Sequence, residues 1–182
     1  KQHLELCRDI AQKFNNDFNV DDFFKIPEPL IKKEFSRIMS LKDGLKKMSK
    51  SELSDLSRIN LKDEKDQIIN KIKKAKTDPM PMPNNIEELN TRPEAKNLLG
   101  IYSSLSSSSL EKCIKEFSGK NFSDFKENLS QVLVEKITPI SEEIKKLLLE
   151  KSYLDEILSD GCGKAHDIAS KKMKKIHEIV GF

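Results

Sequence analysis

Lys46-Lys47-Met48-Ser49-Lys50-Ser51, closing the run Ser36-Arg37-Ile38-Met39-Ser40-Leu41-Lys42-Asp43-Gly44-Leu45, is the stretch on which the reading of this chain turns. Lys47 and Lys50 enclose one apolar side chain and one hydroxyl and so form a compact cationic loop. Such a loop sets two ammonium groups against the oxygens of a polyphosphate and follows the negative charge that grows during phosphoryl or nucleotidyl transfer. Ser49, Ser51 and the backbone amides add neutral donors. The spacing also arises by chance in a lysine-rich chain, and this one has 29 Lys against 4 Arg, so spacing alone leaves both readings open.

Read literally, Lys47-Met48-Ser49-Lys50-Ser51 is the KMSKS signature of class I aminoacyl-tRNA synthetases in its consensus form. Ile38-Met39-Ser40-Leu41 ahead of the loop, the opening Lys1-Gln2-His3-Leu4-Glu5-Leu6-Cys7-Arg8-Asp9 and the closing pattern from Leu154 to Phe182 resemble the bacterial-type tryptophanyl-tRNA synthetases. The resemblance runs over essentially the whole chain. It implies the C-terminal half of such an enzyme, starting just after the family's Gly-x-Asp-Gln motif. The implied fold is mainly α: a remnant of a Rossmann-type nucleotide-binding domain over residues 1–60, carrying the KMSKS loop, then an α-helical anticodon-binding-like bundle over 61–182. The last helix is a candidate to pack back on the catalytic domain.

The resemblance also implies an activity. Class I synthetases activate an amino acid by positioning and charge stabilisation: its carboxylate attacks the α-phosphate of ATP and pyrophosphate leaves. Here the product would be tryptophanyl-adenylate, passed on to tRNA(Trp). Lys47 and Lys50 would be the catalytic pair on the phosphates, with Ile38 and Met48 against adenine, partly through backbone groups, and Ser49 and Ser51 adding hydroxyls. Mg2+ would arrive with the nucleotide, and this chain is expected to hold no metal site of its own. The expected partners are ATP, L-tryptophan and tRNA(Trp), in a cytoplasmic enzyme that is a homodimer at full length and has no membrane association.

Some positions depart from the family pattern. Gly44-Leu45 stands where Pro-Thr is common, Glu52 where Asp is common and Cys7 where Thr is common. No His-x-Gly-His and no Gly-x-Asp-Gln occurs in the sequence. The tryptophan pocket, the other half of the ATP site and most of the dimer interface are therefore expected outside this chain, which reads as an excised or truncated piece, inactive by itself. Two other readings stay in view: a piece of a tyrosyl-tRNA synthetase, which shares the loop, and a helical RNA-binding module without chemistry.

Composition sets bounds. The chain has 182 residues, enough to bury a real core, with 36% hydrophobic and 35% charged residues. No apolar run approaches the ~18 residues that would span a bilayer. A net charge of +3 is too small to announce nucleic-acid binding by itself. Cys7, Cys113 and Cys162 read as reduced, buried or half-buried thiols, and Cys162 with His166 lacks the second pair that a metal set needs.

Periodicity supplies the elements. Leu4, Cys7, Ile10, Ala11, Phe14 and Phe18 predict a helix over residues 2–18. Pro27 and Pro29 predict a loop, Arg37 to Leu41 a strand whose parallel partners lie mostly outside this chain, and Gly44 a free turn before the lysines. Asp63 reads as the N-cap of a helix over 64–76. The alternating prolines from Asp78 to Asn85 predict an extended connector. Thr91 with Glu94 and Ser108 with Glu111 read as capping boxes. A longer helix from Phe122 is expected to bend or break at Pro139, and a last one, over 163–180, to turn Ala165, Ala169, Met173, Ile176 and Val180 inward. Lys145, Lys146, Lys171, Lys172, Lys174 and Lys175 are candidates for tRNA phosphates or, equally, the polar faces of helices.

Overall fold

The computed structural model describes residues 2–30 and 37–182; Lys1 and Ser36 of the stretches quoted above lie outside the described residues. The elements in chain order are α1 (Gln2–Asp17), β1 (Met39–Ser40), β2 (Asp43–Lys47), a 3-10 turn (Asp55–Ser57), α2 (Lys65–Lys73), α3 (Ile86–Asn90), α4 (Pro93–Ser106), α5 (Leu110–Phe117), α6 (Phe122–Leu149) and α7 (Lys151–Val180). The chain is thus mainly α with a small two-stranded sheet, the fold class read from the sequence. It forms two compact units, one of Lys1–Lys33 with Glu150–Phe182 and one of Glu34–Leu149.

The unit Glu34–Leu149 holds the core. Ile68 and Ile72 of α2, Leu98 and Leu99 of α4, Phe117 of α5, and Phe125 and Leu129 of α6 are all buried. Burying side chains of this size contributes about 1.5–3 kcal/mol each. Phe117 stands edge-on to both Tyr102 and Phe125, with ring centroids 5.0 and 4.9 Å away, the arrangement that aromatic quadrupoles favour. The proline-rich connector joins this core: Met82 is buried, its N–H donates to Lys120 O at 2.8 Å and its carbonyl accepts from Gly119 N at 3.1 Å. Arg92 holds the connector in place, donating to both carboxylate oxygens of Asp78 and to the carbonyls of Met80 and Pro81.

Several helix ends differ from expectation by local competition for hydrogen bonds. Asp63 does not cap α2, because its carboxylate is taken by Lys71 and Asn60; Glu64 caps instead, in a reciprocal box with Gln67. Thr91 donates its hydroxyl to Glu88 O at 2.8 Å, leaving α4 to start at Pro93, whose missing N–H costs nothing there. Ser109 rather than Ser108 caps α5 by accepting from Lys112 N. The helix through Pro139 does not break: α6 runs on to Leu149, losing one ladder bond but held by the packing of Phe125, Leu129 and Leu133 on its earlier turns.

The strand is shorter than expected, Met39–Ser40 instead of Arg37 to Leu41, and it has a partner within the chain that the sequence did not announce. β1 pairs antiparallel with β2 across the turn at Leu41 and Lys42, in the register Met39 to Lys47 and Ser40 to Asp43. A hairpin needs only a short turn, which Leu41 and Lys42 supply. Gly44, Leu45 and Lys46 bulge between the two pairs.

In the other unit, α1 ends in a turn in which Asn19 and Asp22 take φ of 50° and 51°, conformations that Asn and Asp tolerate better than most. Phe14, Phe18, Phe23 and Phe24 form an aromatic cluster, and the Lys172 ammonium of α7 lies 3.6 Å from the Phe23 ring centroid. α7 spans 30 residues and starts well before Gly163. None of its residues is buried: Ile176 is half-buried, while Ala165, Ala169, Met173 and Val180 are exposed, which corrects their reading as core. Two helices and a loop are too little chain to enclose both sides of either helix. The same lack of cover exposes Cys7 and Cys162, and only Cys113 is a buried thiol. No helix among the described residues is long and apolar enough to cross a membrane.

Candidate functional site

The lysine loop leaves the sheet at Lys47. That residue is the last of β2, in register with Met39, and the next amide, Met48 N, donates to Ile38 O at 3.0 Å. Ile38 and Met48 are half-buried and pack their side chains against the core. Because the Met48 amide is already spent on Ile38, any backbone contact from Met48 to a base has to come from its carbonyl. Ser49 and Ser51 share a hydrogen bond of 2.8 Å between their hydroxyls, and Ser51 N donates to Ser49 Oγ. Lys47 and Lys50 are exposed, and neither has an ion-pair partner among the described residues. Lys46 differs, reaching Asp43 at 3.9 Å.

Three contacts from outside the loop fix its base. The Asn97 side chain on α4 reads Met39 as a neighbouring strand would, accepting from Met39 N at 2.9 Å and donating to Met39 O at 2.8 Å. Leu41 is bound on both sides of its peptide, by Ser57 O at 2.9 Å and Lys76 N at 2.7 Å. Gly44 packs against the first turn of α4, where a Cβ would lie 2.6 Å from both Glu94 N and Pro93 C. Its φ is not in the left-handed region, so this glycine is present for close approach and not for the free turn expected of it.

The far side of the loop rests on charge. Arg58 donates from Nη1 to Glu52 O at 2.8 Å and, more weakly, to Ser49 O at 3.5 Å, while its Nη2 lies 3.1 Å from Asp55. Asp55 in turn meets Lys71 Nζ at 2.6 Å, and Lys71 meets the buried Asp63 at 2.6 Å. The hydrogen bond from Lys71, then that from Asn60, holds the Asp55 carboxyl below the usual carboxylate range. Asp55, Arg58, Lys71 and Asn97 were not singled out by sequence reading. Asn97 carried a usable signal, an amide directly before Leu98 and Leu99 on the inward face of α4.

Chemically, two exposed ammonium groups on a braced loop can bind and stabilise a polyanion. Among the described residues no group of three or more His, Cys, Asp or Glu side chains is placed to hold a metal ion. The sequence pattern of the tRNA synthetases class I (W and Y) matches residues 1–137.

The chain belongs to the class I tRNA synthetases of the W and Y family. Among curated members of that family, the tryptophan–tRNA ligases of Caulobacter vibrioides and Rickettsia conorii are 49% and 50% identical to it over 182 residues. Those matches take in 100% of this chain and 53% and 54% of the relatives, so the chain spans about half their length. Two solved W and Y family structures are similar at 27% identity over 100% of this chain. The tryptophanyl-tRNA synthetase of Mycoplasma pneumoniae aligns with a TM-score of 0.83 over 53% of its own chain. That of Campylobacter jejuni, complexed with ADP and tryptophan, aligns with 0.67 over 54%.

For the W and Y family reading of the lysine-rich helices, the structure separates the candidates. Lys145 is paired with Glu64 and Lys146 with Glu143, both on the surface. Lys172 lies over the Phe23 and Phe24 rings and donates to the Phe23 carbonyl. Lys171, Lys174 and Lys175 are exposed with no ion-pair partner among the described residues.

Proposed function

We propose that this chain is part of an ATP-dependent tryptophan–tRNA ligase and supplies its KMSKS loop and tRNA-binding helices. The observation that carries this reading is the pair Lys47 and Lys50, exposed and without an ion-pair partner among the described residues, on a loop whose base is anchored by Asn97 and Arg58. Relatives named tryptophan–tRNA ligases at 45–50% identity support tryptophan over tyrosine, and the Campylobacter jejuni complex supports an adenine nucleotide and tryptophan as ligands.

In the proposed reaction the tryptophan carboxylate attacks the α-phosphate of ATP, which enters with Mg2+, and pyrophosphate departs. Lys47 and Lys50 contact the phosphates and offset the charge that builds in the pentacovalent transition state, where their binding counts most. Ile38 and Met48 flank the adenine, and Ser49 and Ser51 supply hydroxyls. Residues 1–60 act as the catalytic portion and 61–182 as the tRNA-binding portion, in a cytoplasmic enzyme that is a homodimer at full length. Of the six candidate lysines, Lys171, Lys174 and Lys175 are the ones assigned to tRNA phosphates, because they have no ion-pair partner among the described residues.

The test is exchange of labelled pyrophosphate into ATP. The full-length protein that carries this sequence should catalyse exchange with tryptophan and not with tyrosine, and the chain of 182 residues alone should give no signal above buffer. Exchange driven by tyrosine would move the assignment to the tyrosine branch, and no exchange with either amino acid would favour a non-catalytic module.

A further inference from the structure

The guanidinium of Arg58 brackets Lys50. It binds the carbonyl just before that lysine, Ser49 O, and the carbonyl two residues after it, Glu52 O. Its remaining groups are engaged as well, Nε with Asn60 Oδ1 at 3.3 Å and Nη2 with Asp55. With a side chain only 17% exposed and all three nitrogens engaged, Arg58 is not disposed to take a phosphate itself. What it can do is hold the backbone on either side of the lysine that does.

Arg58 is itself held. Asp55 divides its two oxygens between Arg58 and Lys71, and Lys71, on α2, is buried between Asp55 and Asp63. An unbroken series of charge-assisted contacts therefore runs from the α2 core through Asp55 and Arg58 to the loop carbonyls. Hydrogen bonds of this kind are stronger than neutral ones, and Nη1 alone serves both carbonyls, Glu52 O at 2.8 Å and more weakly Ser49 O at 3.5 Å, while Nε and Nη2 stay on Asn60 and Asp55. Exposed lysine loops are otherwise costly to hold in one geometry, since every ordered residue gives up conformational entropy.

We infer that Arg58, backed by Asp55 and Lys71, is a positioning residue that sets Lys50 for the phosphates. The inference deepens the proposed function and rests on its assignment of Lys50. It also predicts a purely structural readout, because trypsin cuts after Lys47 and Lys50 only when the loop opens, and the opening free energy governs the rate.

The experiment uses the full-length protein with Arg58→Ala, Arg58→Lys and Asp55→Asn, compared with Lys46→Ala and Lys50→Ala. Cleavage after Lys47 and Lys50, followed by mass spectrometry under native conditions, should rise about tenfold in Arg58→Ala and Asp55→Asn relative to cleavage elsewhere. Single-turnover adenylate formation should fall roughly 10- to 100-fold in Arg58→Ala, the scale of losing a catalytic group's placement. Binding of tryptophan and ATP should change by less than about threefold in the same variant, since the loss falls on the transition state. Arg58→Lys should recover only part of both effects. Asp55→Asn keeps the side-chain shape, so it answers the question should Arg58→Ala misfold. The inference is overturned by unchanged loop cleavage in Arg58→Ala and Asp55→Asn, or by looser loops that form adenylate at the parent rate while Lys50→Ala is slow. A Lys50→Ala enzyme as fast as the parent would instead strike the proposed function itself, and the positioning role with it.

Discussion

Replacing Gly44 by alanine tests the contact that seats the hairpin on α4. A methyl at that position would lie 2.6 Å from Glu94 N, 2.6 Å from Pro93 C and 2.9 Å from Pro93 O. All three atoms are backbone, and Pro93 begins α4 with its φ fixed by the ring, so no side-chain rotation relieves the clash. The hairpin and the first turn of α4 must separate instead. Forcing an extra methyl into packed structure costs about 1–3 kcal/mol. Alanine returns about 0.4–1 kcal/mol by stiffening the unfolded chain, because the φ here is one that alanine adopts without strain. The net expectation is a loss of about 1–2 kcal/mol, or a fall in Tm of roughly 3–12 °C for a unit of this size. Thermal and urea melts of the chain followed by circular dichroism measure it, with the urea midpoint lowered and its slope unchanged. A Tm within about 1 °C of the parent, or above it, would show that Gly44 and the start of α4 do not touch as described.

Two further outcomes follow from the ion pairs. Lys71→Met should cost about 3–5 kcal/mol, because it leaves the buried Asp63 carboxylate without its cation, and a urea midpoint within error of the parent would refute the buried pair. Acid should destabilise the fold through Asp55 and Glu94, whose carboxyls are held below their ordinary values first by the hydrogen bonds from Lys71 and Lys76 respectively. A carboxyl lowered in the folded state contributes stability that is present above its unfolded pKa, near 4, and is lost as pH falls through the lower folded value. Urea midpoints should therefore hold between about pH 7 and pH 5 and drop below about pH 4, with a smaller drop in Glu94→Gln; a midpoint that stays flat to about pH 3 would contradict this.

How far the sequence could be read depended on the range of the interaction. Capping signals, read together with apolar runs that meet one shared core, placed α2, α4, α5 and most of α6. Periodicity misjudged α7 because the same pattern of Ala165, Ala169 and Met173 arises whether or not anything covers the helix. Caps slipped by one residue where a nearby partner competed, as with Asp63 and Lys71, eight positions apart and invisible to a local capping rule. In the site, the loop itself was legible as a string, whereas its supports were not. Asn97 lies 58 residues from Met39, and nothing local marks such a pairing. The role of Gly44 was misread for a related reason, since a glycine required by a neighbour's backbone looks, in sequence, the same as one required by a turn.

The most direct test of the lysine loop compares adenylate formation in the full-length protein after Lys50→Ala and Lys46→Ala, measured in a single turnover at saturating tryptophan and ATP. Lys50 has no ion-pair partner among the described residues, while Lys46 already faces Asp43 at 3.9 Å. Losing a charge-assisted contact to the transition state costs about 2–4 kcal/mol, so Lys50→Ala should slow the step roughly 30- to 1000-fold while ground-state binding of ATP and tryptophan changes little. Lys46→Ala should change the rate by less than about threefold. Equal rates for Lys50→Ala and the parent, or equal impairment of the two variants, would contradict a catalytic loop and leave these lysines as solvated surface charge.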